Sequence, residues 1–282
     1  MHARDLAFGI EFETTLPTSD PTRIGPYHGG YQVPWLPEGW KAERDGSIRE
    51  SVGRKACEFV SPKLKGREGV EQVLSAIDAI KICGGQVNDS CGLHISVEWN
   101  GDAAALARLI NLVGNHERAL YASTGTKKRE RANYTKRIKQ YANPDTAKQR
   151  CEQDRFHLLN LTHLARGRNR IEFRVFAGTL NKTKVFGYLM LCLGLVELAL
   201  NSKRRGDWEY TKTPGTKSCW DRPGAGVGET ELNRLFYRLA WTKGWYKGEL
   251  RHKTWGEVAE GYDLRPIKTK LLELAKQYDT QA

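Results

Sequence analysis

Five side chains able to hold a metal ion or move a proton sit in short stretches where polar and apolar residues alternate. Glu11 and Glu13 lie in Ala7-Phe8-Gly9-Ile10-Glu11-Phe12-Glu13, Glu58 in Cys57-Glu58-Phe59-Val60, and His94 in Gly92-Leu93-His94-Ile95-Ser96-Val97. Glu172 lies in Arg170-Ile171-Glu172-Phe173-Arg174-Val175-Phe176. A period of two predicts β-strands, with the polar residues on the face opposite the core. One such strand is an ordinary half-solvated strand. Four of them predict a sheet that presents glutamates, a histidine and Arg174 on a shared face. Crowded carboxylates repel one another and are costly to desolvate, so such a face requires cations. A divalent metal site is the first hypothesis.

Each motif alone also has a plain structural reading. Glu11-x-Glu13 puts two carboxylates roughly 6.5–7 Å apart at Cα, which suits two neighbouring cations, one cation held from two sides, or a wet strand face. A lone strand histidine is commonly a hydrogen-bonded core residue. Glu172-x-Arg174 can be a salt bridge. In a phosphoryl-transfer site the glutamate would hold a metal and the guanidinium fork would brace the phosphate. Asp45-Gly46-Ser47 is a turn signal in its own right. Cys83, Cys91 and His94 have no knuckle spacing, so zinc is not expected. Gly224-x-Gly226-x-Gly228 follows no strand and precedes no Lys-Ser or Lys-Thr, and reads as a hinge rather than a phosphate loop. There is no G-x-S-x-G and no evident nucleophile with its own base.

The elements that must position these groups follow in order. The first strand spans about residues 6–14, then comes an aromatic, Pro/Gly-rich loop over 16–40. A strand ending in a turn covers 41–48, and the Glu58 strand is closed by Ser61-Pro62. Val70, Val73, Leu74, Ile77 and Ile80 predict a helix over 69–82, and Asp102 opens a second one. Residues 127–155 are basic with few core candidates and read as a loop or lid. After the Glu172 strand, the apolar stretch 185–200 contains Glu197 and reads as a buried core helix rather than a membrane span. This order predicts an α+β fold: an antiparallel or mixed sheet with helices on one face. Composition shifts after Ser202. The expected division is a catalytic domain over 1–202 and a basic helical appendage over 203–282, bearing Trp220, Trp241, Trp245 and Trp255.

The chain of 282 residues is 39% hydrophobic and 28% charged, ordinary for a globular protein that buries a full core. Its net charge of +12 favours anionic partners without choosing among nucleotides, nucleic acid and acidic substrates. No basic amphipathic stripe points to a membrane surface. Met1-His2-Ala3-Arg4-Asp5 leads directly into the first strand, so no secretory leader is expected, and the six scattered cysteines are expected as reduced thiols in a cytoplasm.

Taken in series, Phe8-Gly9-Ile10-Glu11-Phe12-Glu13, Asp45-Gly46-Ser47-Ile48, Glu58-Phe59-Val60-Ser61-Pro62, Cys91-Gly92-Leu93-His94-Ile95-Ser96 and Ile171 to Thr179 resemble the amidoligase family. That family belongs to the glutamine synthetase and glutamate–cysteine ligase superfamily of carboxylate–amine ligases. The resemblance covers about residues 6–200. It implies an open, funnel-like antiparallel sheet that binds ATP with Mg2+ or Mn2+. Glu11, His94 and Glu172 would hold one ion, and Glu13 with Glu58 another. Arg174 would meet the transferring phosphate, with Lys136 and Lys139 in the basic stretch as further ATP contacts. Asp45 and Ser47 would approach the amine substrate. Ser96 departs from the pattern, since many relatives carry a histidine there.

The implied activity is an ATP-dependent ligation of a small-molecule or peptide carboxylate to an amine, with a nucleic-acid-linked or acidic acceptor in keeping with the charge. Two rivals stand beside it. A two-metal nuclease would use the same carboxylates but calls for a catalytic lysine, which these strands do not supply. A non-catalytic nucleic-acid binding module would use the tail tryptophans and lysines.

Overall fold

β1 (Ala7–Pro17) is the spine of the sheet: Phe8, Ile10 and Phe12 enter the core, while Gly9, Glu11 and Glu13 alternate with them on the opposite face. The coordinates are a computed structural model that describes residues 3–202, 224–239, 241 and 264–281. On one side of β1 lie β4 (Arg54–Val60), β3 (Lys41–Glu43) and β2 (Tyr31–Gln32). On the other lie β6 (Gly92–Glu98), β8 (Arg170–Ala177) and β7 (Leu159–Asn160), while β5 (Leu64–Lys65) extends the start of β1. Every pairing of these strands is antiparallel, and the sheet is open, with β2 and β7 at its edges.

Register aligns the acids. Glu13 stands opposite Glu58, Glu58 opposite Glu43, Glu11 opposite His94, and Glu172 opposite both Ser96 and Asn160. A slip of one residue would turn each of them into the core. β8 carries one residue more than its partner: Leu93 faces Phe176 and Ile95 faces Phe173, two steps on β6 against three on β8. This is a β-bulge at Arg174-Val175, opposite His94, and it leaves Val175 and Phe176 both buried.

The helices cover the apolar face. α1 (Gly66–Ile82) ends in a Schellman turn: Gly85 N–H bonds Ile80 C=O and Gly84 N–H bonds Lys81 C=O, with Gly84 at φ +75° where a side chain would be strained. α2 (Ala103–Ala122) starts at Asp102, whose carboxylate accepts the Ala105 N–H at 2.7 Å. α6 (Lys182–Asn201) is apolar and long enough to cross a membrane by composition alone, yet 14 of its residues are buried inside this core.

The stretch 127–155, expected as a loop, contains α3 (Lys128–Arg131) and α4 (Pro144–Gln153), and it places Ile138, Ala147 and Cys151 in the core. Asn143 caps α4 through the Thr146 N–H, with Pro144 preset in the first turn. α5 (Thr162–Ala165) leads into β8. In the C-terminal region, α7 (Val227–Arg238) and α8 (Leu264–Asp279) add Leu235, Phe236, Ile267 and Leu271 to the same hydrophobic core as Leu120, Tyr121 and Tyr188. Phe236 stacks on Trp241 at 5.2 Å. Trp220, Trp245, Trp255 and Cys219 lie outside the described residues.

Candidate functional site

Across β3, β4 and β1 three carboxylates stand in a row, Glu43, Glu58 and Glu13, each 4–7% exposed. Ladder partners carry their Cβ atoms only about 4.5–5.5 Å apart, so the acids crowd one another. Beside them His94 lies 3.4 Å from Glu11 and from Glu13, one ring nitrogen on each, and 3.6 Å from Glu172. The wall of one cavity of about 310 Å3 includes Glu11, Glu13, Glu58, His94, Asp45 and Arg174. The sheet has brought together residues as distant in number as 11 and 174.

Burial and crowding act unequally on these acids. Burial pushes the Glu58 carboxyl well above the usual range, and the charges of Glu11 and Glu13 push it further. Burial likewise raises Glu43, whose Oε2 is buried without a hydrogen-bond partner. Glu172 behaves oppositely. Burial alone would raise it, but the contact with His163, the Arg174 charge, His94 and Asn160 hold it below the ordinary carboxylate value. Arg174 bonds Glu172 at 2.7 Å and Asn160 donates to its other oxygen at 2.5 Å. Burial would weaken the Arg174 charge, and Glu172 more than offsets this.

The donor set fits hard divalent ions. One oxygen or nitrogen each from Glu11, Glu58 and His94 lie within 4.8 Å of one another, and so do Glu13, Asp45 and Glu58. Oxygen-rich triads of this kind suit Mg2+ or Mn2+. The grouping differs from the expected one: Glu58 belongs to both triads and Glu172 to neither, being engaged by Arg174 and Asn160. Asp45 also accepts the Ser47 N–H at 2.6 Å in a tight turn, which holds both at the cavity wall. The turn is fastened by Arg49, whose N–H bonds Ser90 Oγ and whose side chain pairs with Asp89.

Lys136 and Lys139 do not line the cavity. The first pairs with Asp154 at 2.6 Å and the second reaches Asn115 at 3.2 Å. Residues the sequence reading missed take part instead. Glu43 shares the alternation of Lys41-Ala42-Glu43, a signal present but only three residues long. Arg129, Tyr134 and Arg155 reach the cavity from the segment expected as a lid, and Tyr27 and His28 from the first loop. Arg155 bonds the Tyr27 hydroxyl at 2.6 Å across the mouth. Gly92 is required by close approach: its N–H bonds Glu13 at 2.5 Å, and a Cβ there would lie 2.9 Å from His94 Nε2.

A second cavity of about 250 Å3 continues along the same strand faces, past Gly9 on β1, Ser96 on β6 and Arg170 on β8, with Lys63 and Arg168 at its wall.

Curated proteins give no match to this chain. Among solved structures, apo GmaS without ligand is similar at 11% identity and a TM-score of 0.41, over 98% of this chain and 68% of that one. The complex between the prokaryotic ubiquitin-like protein Pup and its ligase PafA is similar at 9% identity and a TM-score of 0.40, over 98% of this chain and 64% of that one. This chain therefore spans about two thirds of their length. The model of the family described as "Putative amidoligase enzyme" matches residues 4–150, from the 3-10 turn before β1 into α4. The match covers Glu11, Glu13, Glu58 and His94 and ends ahead of β8. The chain belongs to the amidoligase family, the carboxylate–amine ligases.

Proposed function

We propose that this carboxylate–amine ligase is ATP-dependent and forms an amide through an acyl phosphate, with two divalent ions held by the strand carboxylates. The observation that carries the reading is the pair of triads sharing Glu58 in a cavity that also contains Arg174. Glu11, Glu58 and His94 would hold one ion, and Glu13, Asp45 and Glu58 the other. The ions would neutralise the phosphates and align the reacting oxygens when bound.

A carboxylate is a poor acyl donor. In the reaction one of its oxygens attacks the terminal phosphorus of ATP, the bond to ADP breaks, and an acyl phosphate forms. An amine nitrogen then attacks the acyl carbon, the carbon–oxygen bond breaks, and phosphate leaves. Both partners of the first step are anions, so Arg174 serves by placing its fork of donors on the transferring group, while Glu172 holds that fork in place. The amine would approach past the turn of Asp45 and Ser47 at the cavity wall, and its proton leaves with the departing phosphate. No protein nucleophile is needed.

The nucleotide would lie along the sheet, triphosphate toward Arg174 and nucleoside in the second cavity, where Arg168 and Arg170 supply positive charge beside the Lys63–Glu98 pair. These arginines, and not Lys136 and Lys139, stand where an ATP molecule in the two cavities would reach. We place the funnel mouth at the loops bearing Tyr27 and Arg155.

The test incubates the protein with ATP, Mg2+ and pools of amino acids, with and without peptide or nucleic-acid acceptors, and measures ADP. Release that requires both a carboxylate and an amine supports the ligase. Nucleic-acid cleavage without ATP would replace this reading with the nuclease.

A further inference from the structure

We propose that Arg129 is a positioning residue for Arg174, acting through the bulge in β8. Arg129 sits on the four-residue α3 and is only 3% exposed, although its neighbours Lys128 and Glu130 belong to a strongly charged run. Among the described residues no carboxylate lies at ion-pair distance from it, although the Glu13 charge favours its charged form. Its donors go to backbone carbonyls: NH2 to Arg174 O at 2.6 Å and Nε to Val175 O at 3.3 Å.

Those two carbonyls belong to the residues at which the β6–β8 register shifts. A bulge leaves backbone groups without their ladder partners, and a buried orphan carbonyl is costly. The guanidinium fork matches two successive carbonyls, a geometry an ammonium cannot copy with the same rigidity. It therefore fixes the backbone at Arg174, and with it the direction in which the Arg174 side chain leaves the strand. Burial lowers the Arg129 pKa, and the Tyr134 ring lies against its charge at 4.9 Å. Gly92 leaves room for it, since a Cβ there would stand 3.2 Å from Arg129 NH2.

The catalytic consequence rests on the ligase reading, whereas the positioning itself does not. The test separates them. In protein labelled with 15N-arginine, the Arg174 Nε–H resonance is assigned by its disappearance in Arg174→Lys. Arg129→Met is expected to shift and broaden this resonance and to speed exchange of the Arg174 amide, which bonds Leu158 O, by about 10-fold. Mn2+ affinity, followed by electron paramagnetic resonance, is not lowered, because Arg129 supplies no ligand atom and its charge beside Glu13 opposes a bound cation. Should Arg129→Met fail to fold, Arg129→Lys keeps the charge and is expected to give a smaller shift of the same resonance. An unmoved resonance in the folded variant overturns the proposal, and so does a loss of Mn2+ affinity in step with the shift, which would make Arg129 a general support. Separately, ATP binding in preference to ADP, abolished by Arg174→Ala, reports on the ligase reading; its absence would sink that reading and leave the resonance test standing.

Discussion

Replacing Glu58 by glutamine should stabilise the metal-free protein and remove most of its response to divalent ions. Glu58 belongs to both triads, with ligand atoms of Glu11 on one side and of Glu13 and Asp45 on the other within 4.8 Å. Two charges about 5 Å apart interact by about 3 kcal/mol at an effective dielectric constant near 20. The raised Glu58 pKa shows the fold relieving part of this by taking up a proton, with burial as its main cause. The net gain from a neutral, isosteric side chain is therefore about 1–3 kcal/mol in the presence of a chelator. For a chain of this size that is a rise in Tm of about 2–5 °C. With Mn2+ at about 1,000 times its Kd, the wild-type protein gains about 4.1 kcal/mol, so the order of stabilities reverses. Calorimetry with chelator and with Mn2+ measures both arms. A glutamine variant that is less stable than wild type in chelator, or that gains as much from Mn2+, refutes the claim that these acids are held together for cations.

Arg174→Ala should lower substrate-dependent ADP release by about 10^2–10^3-fold with Mn2+ binding retained, as expected for loss of one preorganised donor at the transferring phosphate. Gly92→Ala forces a methyl to within 2.9 Å of His94 Nε2 and 3.3 Å of Glu13, and should weaken Mn2+ binding by about 10-fold while the protein still folds, as circular dichroism and metal titration would show. The pH dependence of stability should show two buried neighbours on α2 acting in opposite directions. Burial, helped by Arg238 and Arg234, lowers His116 from 6.5 to about 3, so the native state binds fewer protons than the unfolded chain between those values. Stability is lost as pH falls through that window, by as much as about 5 kcal/mol. Burial raises Glu117 from 4.5 to about 7, so its contribution is present at low pH and is lost as pH rises through 7. Denaturant titrations of Glu117→Gln should therefore show a steeper loss between pH 7 and 4.5 than wild type, and His116→Gln a shallower one; parallel profiles would exclude both assignments.

Strand parity made much of this site legible. Wherever apolar partners alternate with an acid, as at Phe8-Gly9-Ile10-Glu11-Phe12-Glu13, the face of the acid follows from period two alone. The order of strands in the sheet is another matter, because pairing between residues as distant as Phe12 and Leu93 leaves no local trace. Glu43 escaped notice because a strand of three residues offers too little alternation to read. Arg129 escaped because its burial is set by carbonyls on β8, more than forty residues away, while its neighbours look like a solvated basic run. The helix at Pro144 did carry a local signal, Asn143 followed by proline, which the basic composition of the segment obscured. The bulge is visible only as two consecutive apolar residues, Val175-Phe176, and such doublets have many other causes.

The far end of the chain is knotted to the segment that bears Arg129. Tyr278 on α8 bonds Glu130, the side chain of Gln281 bonds Gly125 O and the Lys127 N–H, and Lys127 reaches back to the Gln281 carbonyl. A perturbation felt by this last helix thus travels to α3, from α3 to the carbonyls of β8, and so to the arginine beside the acids. In mechanical terms the turn after α8 is a guy-rope for the short helix that carries Arg129.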